Sequence, residues 1–155
     1  MRAYLVPIAI CDSIGEPFAI ALLQRKDHLL GARVCDKLLA VGGKVEPGES
    51  PKEAALRELD EEVPGWWPAT MGTAAPEPEQ LEALYRDEEI EVFVVPARVD
   101  AESTQRFVRG TQEGVPAILS AAAIRALPDP CWVFPQLKTP LLERLVALET
   151  AHSER

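Results

Sequence analysis

Three glutamates, Glu58, Glu61 and Glu62, fall within five consecutive positions. Residues 58 and 62 are four apart and 58 and 61 three apart, so on a helix the three carboxylates share one face. Like charges so placed repel by about 0.2–0.5 kcal/mol per pair. A helix with such a face is either simply solvated or suited to a cation. Carboxylate oxygens are hard ligands and suit Mg²⁺ or Mn²⁺.

The acidic run closes a longer stretch, GGKVEPGESPKEAALRELDEEVPG, from Gly42 to Gly65. Gly42 and Gly43 open it and let the backbone approach a ligand closely. Ser50 and Pro51 predict a helix start, with Ser50 as cap, Pro51 in the first turn and Glu53 completing a capping box. Ala54, Ala55, Leu56 and Leu59 supply the apolar contacts of that helix, and its acidic face lies away from Ala55 and Leu59. Pro64 and Gly65 predict its end.

Gly43, five residues, Glu49, seven residues and then Arg57-Glu58-Leu59-Asp60-Glu61-Glu62 resembles the signature of the Nudix hydrolases. The GGK-hydrophobic-Glu loop is similar to that of the MutT-like branch. The family pattern continues with any residue, Gly and an aliphatic residue. Here Val63, Pro64 and Gly65 stand there, so Pro64 replaces the expected Gly.

The resemblance implies an α/β (α+β) Nudix fold, a mixed β-sheet sandwiched between α-helices, with residues 1–155 as a single domain. It implies Mg²⁺ or Mn²⁺ as cofactor, held by Glu58, Glu61, Glu62 and the carbonyl of Gly42. Glu58 would serve as base or as ligand, Arg57 as the side chain that orients the site, and Gly43 and Glu49 as part of the brace between loop and helix. Gln112-Glu113-Gly114 is similar to a segment that supplies one more carboxylate, which makes Glu113 a metal candidate; its rival reading is an ordinary loop glutamate. Arg25 and Lys26 stand where the family often directs a base at substrate phosphate, or are an ordinary charged strand end. Lys138 falls where MutT-like members that prefer oxidised guanine hold an Asn after Phe-Pro. Lysine only donates, so strict selection of oxidised guanine is not expected.

The implied reaction is attack of water on a nucleoside diphosphate linked to another group. A nucleoside triphosphate with an oxidised or other non-standard base is the first expectation. The alternatives are an ADP-sugar or dinucleotide pyrophosphatase, and a non-catalytic Nudix-fold nucleotide-binding regulatory module.

The rest of the chain must position these residues. Ala3 to Cys11 and Phe18 to Gln24 are apolar runs around the turn cluster Asp12–Pro17 and predict a hairpin. Asp27 to Asp36 reads as a loop, with His28 an ordinary surface residue. Leu38 to Val41 predicts a short strand that delivers the two glycines. One of Trp66 and Trp67 is expected in the core, and Ala74–Glu79 as an exposed loop. Leu81–Tyr85 reads as a weak strand or a helical turn. Glu89–Val99 predicts a strong strand, with Glu89 and Glu91 on the face opposite Ile90, Val92 and Val94. Val115–Leu119 follows as a strand, then a short helix capped by Ser120 and a last helix with Leu137, Leu141, Leu142, Leu145 and Leu148 as its packing stripe.

A chain of 155 residues buries about 70% of its unfolded surface. Its net charge of −9 argues against a nucleic-acid polymer as partner. No apolar run reaches the ~20 residues of a membrane span, and the first apolar run reads as a strand rather than a signal peptide. Three widely spaced cysteines fit reduced thiols and a cytoplasmic location. The oligomeric state is not written in the sequence.

Overall fold

The computed structural model describes residues 1–11, 17–24, 37–62, 65, 67–68, 74–99 and 114–153. Strands β1 (Arg2–Cys11) and β2 (Pro17–Gln24) form the predicted antiparallel hairpin, with Ile8 opposite Ala19. Two short strands follow, β3 (Lys37–Leu39) and β4 (Val41–Lys44), and then helix α1 (Pro51–Glu62). Next come β5 (Glu82–Arg86), β6 (Ile90–Val99) and β7 (Gly114–Leu119). Helices α2 (Ala121–Ala126) and α3 (Lys138–Ser153) close the described chain.

The seven described strands form one mixed sheet, ordered β3-β2-β1-β6-β5, with β4 also on β1 and β7 also on β2. β1 runs parallel to β6 and antiparallel to β2 and β4. Every residue from Ala3 to Ala9 is buried, as a strand covered on both faces requires.

Side chains alternate between two cores. Ala3, Leu5 and Ala9 of β1 join Phe93 and Val95 of β6 under Ala54, Ala55 and Leu59 of α1. Tyr4, Val6 and Ile8 join Ile90, Val92 and Val94 on the other face, under Ile124 of α2 and Leu141 and Leu145 of α3. The sheet is thus sandwiched between α1 and the pair α2 and α3. Leu137, Leu141 and Leu145 of the predicted stripe are buried, and Leu142 and Leu148 are half-buried against the same core.

Two sequence expectations are corrected. The strand expected over Leu38–Val41 is two strands that part at Ala40, because β3 pairs with β2 whereas β4 pairs with β1. Gly42 and Gly43 therefore lie inside β4, not beyond a strand end. The strong strand begins at Ile90 rather than Glu89, since Asp87 takes the N–H groups of Glu89 and Ile90 on one carboxylate oxygen, at 2.7 and 2.9 Å. The Leu81–Tyr85 segment resolves as strand β5 on the edge of the sheet, pairing with β6. Trp67 is the core tryptophan, on the α1 side; Trp66 and the stretch with His28 lie outside the described residues.

Candidate active site

The loop before α1 turns at Gly48, whose φ of +81° suits glycine. Ser50 Oγ accepts the Glu53 N–H at 3.2 Å and the Ser50 carbonyl accepts the Ala54 N–H at 2.9 Å, so the helix starts where the cap predicts. Two turns on, Arg57 reaches back to the loop and binds it to the helix.

The guanidinium of Arg57 uses all five of its N–H donors. Nε donates to Glu49 Oε2 at 2.7 Å and Nη2 to Glu49 Oε1 at 3.1 Å. Nη2 also donates to the Lys44 carbonyl at 2.9 Å. Nη1 donates to Glu58 Oε1 and to Glu61 Oε2, both at 3.1 Å. Glu49 Oε1 in addition accepts the Glu46 N–H at 3.1 Å. The bidentate pair holds the Glu49 carboxyl below the usual carboxylate range, with the Glu46 N–H as the second cause. The bond to Glu49 likewise raises the Arg57 pKa, so its charge is fixed at every accessible pH.

Glu58 is directed at the glycines. A Cβ built on Gly43 would lie 2.6 Å from the carboxyl carbon of Glu58, so the carboxylate occupies the room that glycine leaves. Gly42 is tight on the other side, where a Cβ would collide with the Ala3 carbonyl and with Tyr4. The carboxylates are graded in exposure: the Glu58 side chain is 16% exposed and that of Glu61 58%. Glu62 is half-buried one turn beyond Glu58.

Among the described residues, no three His, Cys, Asp or Glu side chains close on a common point as a ready metal cage. A cationic nitrogen, Arg57 Nη1, instead sits between Glu58 and Glu61. Nη1 marks where positive charge is held between these carboxylates, and the oxygen-only donor set suits a hard divalent cation. Glu91 joins the same face by register: Gly43 lies opposite Ala3, and Ala3 lies beside Glu91 across β1. Glu89 stands before β6 and is exposed.

The remaining candidates are not brought together with these. Arg25, Lys26 and Glu113 lie outside the described residues. Lys138 is on the opposite face of the sheet, where its Nζ donates to the Leu127 carbonyl at 2.6 Å and lies 3.8 Å from Asp129 Oδ1.

Beside Lys138 is a pocket that sequence reasoning missed. Val6, Leu38, Ala40, Leu84, Trp132 and Phe134 line it, and its cavity volume is about 20 Å³, room for about one water molecule. Phe134 packs on Tyr4 with ring centroids 5.0 Å apart. Trp132 is 6% exposed, and its Nε1–H is buried with no hydrogen-bond partner among the described residues. A tryptophan two residues before Phe134-Pro135 was the available signal, but its missing acceptor is visible only in three dimensions.

A family model for the NUDIX domain matches residues 1–127. No curated protein sequence matches the chain at a significant level. Among solved structures, a mutT/nudix family protein from Listeria innocua is 18% identical with a TM-score of 0.59, over 96% of this chain and 94% of that one. The C. elegans Ap4A hydrolase binary complex is 17% identical with a TM-score of 0.54, over 97% and 99%. Shewanella oneidensis NrtR complexed with a 27mer DNA is 15% identical with a TM-score of 0.52, over 95% of this chain and 62% of that one. At these identities the likeness is one of fold.

Proposed function

The chain belongs to the Nudix family, and from that premise we propose that it hydrolyses the diphosphate linkage of a nucleoside diphosphate joined to another group, a non-standard nucleoside triphosphate first among them. The observation that carries this reading is the Glu58 carboxylate seated over Gly43 and tied by Arg57 to Glu49. A diphosphate resists hydrolysis because its negative oxygens repel the nucleophile. A bound Mg²⁺ or Mn²⁺ supplies neutralising charge and lowers the pKa of a coordinated water. Glu58, Glu61, Glu62 and the Gly42 carbonyl are the groups that would hold it, with Glu113 as a further carboxylate. Glu58 acts there as ligand or as the acceptor of the proton of the attacking water. Arg57 keeps both carboxylates and loop in place, a positioning role. Arg25 and Lys26 are assigned to substrate phosphate.

The last helix, outside the family match, packs on the same core as β6, which supports reading the whole chain as one domain. No described helix is long and apolar enough to cross a membrane, and the free thiol of Cys131 is consistent with a cytoplasmic setting. The DNA bound by the Shewanella neighbour is not carried over, since a net charge of −9 opposes a phosphate backbone.

The test is release of phosphate or pyrophosphate from a panel of nucleoside triphosphates, an ADP-sugar and a dinucleotide, with Mg²⁺ and with excess EDTA. Turnover should require the metal. Glu62→Gln should abolish both turnover and Mg²⁺ affinity by calorimetry. Full activity in EDTA, or unchanged Mg²⁺ affinity in that variant, would overturn the reading.

A further inference from the structure

Arg2 and Lys44 are two cations held side by side with no carboxylate for either. They are partners across the β1–β4 pairing. The Val45 N–H donates to the Met1 carbonyl at 3.0 Å, so Met1 and Val45 are a hydrogen-bonded pair of this ladder and Arg2 and Lys44 the next, non-hydrogen-bonded one. Side chains stand closest in such a pair, with Cα atoms about 4.5 Å apart, and like charges directly opposite each other repel. Both backbones are fixed: the Arg2 N–H donates to the Glu89 carbonyl and the Lys44 carbonyl accepts from Arg57 Nη2, each at 2.9 Å. Both residues are exposed. Acids outnumber bases in the chain by 25 to 16, and Arg57 is surrounded by carboxylates. Neither Arg2 nor Lys44 makes an ion pair among the described residues.

The pair borders the carboxylate site. Gly43 has Glu58 over one face of the sheet, and the next residue, Lys44, projects to the other, as Arg2 does. The Arg2 guanidinium lies against the Tyr4 hydroxyl, and the carboxylates of Glu62 and Glu58 are near enough to act on that hydroxyl as well. Tyr4 itself is packed between Gly42 and the Phe134 ring. Cations and carboxylates thus meet at one end of the sheet, on either side of it. A guanidinium fork beside an ammonium point charge suits the oxygens of a phosphate. We propose that Arg2 and Lys44 form an anion site that takes one phosphate group of the substrate directly, with no metal between them.

The hydrolase reading supplies the source of that phosphate, and the inference rests on it to that extent. The probe is inorganic pyrophosphate, titrated into the full chain in excess EDTA by calorimetry and mapped by amide NMR shifts. Binding should be saturable, should weaken as salt is added, and should shift Arg2 and Lys44 most. Arg2→Gln with Lys44→Gln should weaken it by about tenfold or more. Lys44→Arg, which keeps the charge, should bind like the parent. With Mg²⁺ and a nucleotide that the parent cleaves, the double Gln variant should raise KM by about tenfold and leave kcat within about twofold, with Mg²⁺ affinity unchanged. Absence of saturable binding, unchanged affinity in the double Gln variant, or an equal loss in Lys44→Arg would each overturn the proposal. Pyrophosphate held by this pair with no nucleotide hydrolysed would overturn the hydrolase reading and leave the anion site standing. Metal-dependent turnover with KM unmoved in the double Gln variant would do the reverse.

Discussion

Glu58 and Gly43 occupy one site between them. The carboxyl carbon of Glu58 is within 2.6 Å of where a Gly43 side chain would begin, so the glycine is required by the glutamate and not by its own backbone angles. Gly42, one residue earlier, is constrained by different atoms, the Ala3 carbonyl and Tyr4 across the β1–β4 pairing.

The two glycines should therefore fail differently. Gly43→Ala displaces a flexible carboxylate tip, so the protein should keep its melting temperature within a few degrees and lose activity on the order of a hundredfold, the cost of misplacing a reacting group by about 1 Å. Gly42→Ala forces a methyl into backbone, so stability should fall by about 1–3 kcal/mol. Thermal melts and kcat for the two variants check this. Equal stability loss in both would show that Glu58 is not held over Gly43.

Arg57→Lys keeps the charge but has three donors where the guanidinium uses five. The bidentate contact with Glu49 and the link to the Lys44 carbonyl cannot both survive. Turnover should drop at least tenfold through kcat, and the Lys44–Glu49 loop should exchange its amide hydrogens faster. Unchanged exchange alongside lost activity would place Arg57 on the substrate instead.

Acid should release the same brace. The Glu49 carboxyl titrates lower in the folded chain than in the unfolded one, chiefly because Arg57 donates to it. Its contribution to stability is then complete above the ordinary carboxylate range, near pH 4.5, and disappears as pH falls through the depressed folded value. Glu49→Gln should melt below the parent at neutral pH, and the gap should close as pH is lowered below the ordinary carboxylate range. A gap independent of pH would mean that the carboxylate charge contributes nothing.

Local chemistry was legible in the sequence and long-range pairing was not. The α1 helix could be placed because its cap, its Arg57-to-Glu62 spacing and its Ala54, Ala55 and Leu59 face are all set between Ser50 and Glu62. β6 was legible from apolar residues at successive positions, all buried from Val92 to Val95. The break at Ala40 was hidden, because it follows from which neighbour each half of the segment pairs with. β5 was ambiguous for a related reason: none of its residues is fully buried, so its strand form comes from pairing with β6 rather than from its own pattern. The missing partner of Trp132 depends on what surrounds the ring, and no local pattern encodes it.

The parallel pairing of β1 with β6 joins residues almost ninety positions apart, Arg2 beside Ile90. β4, which carries the glycines, rests on the other edge of β1. During synthesis β1 and the whole glycine-to-glutamate segment emerge well before β6 is made, and closing so long a loop is slow. Until then β1 can be held by the local hairpin with β2 but has an apolar edge open to other chains. The carboxylate site is thus written in one short segment yet cannot be assembled until the middle of the chain arrives, and substitutions that weaken β6 should reduce yield of soluble protein before they reduce the activity of what has folded.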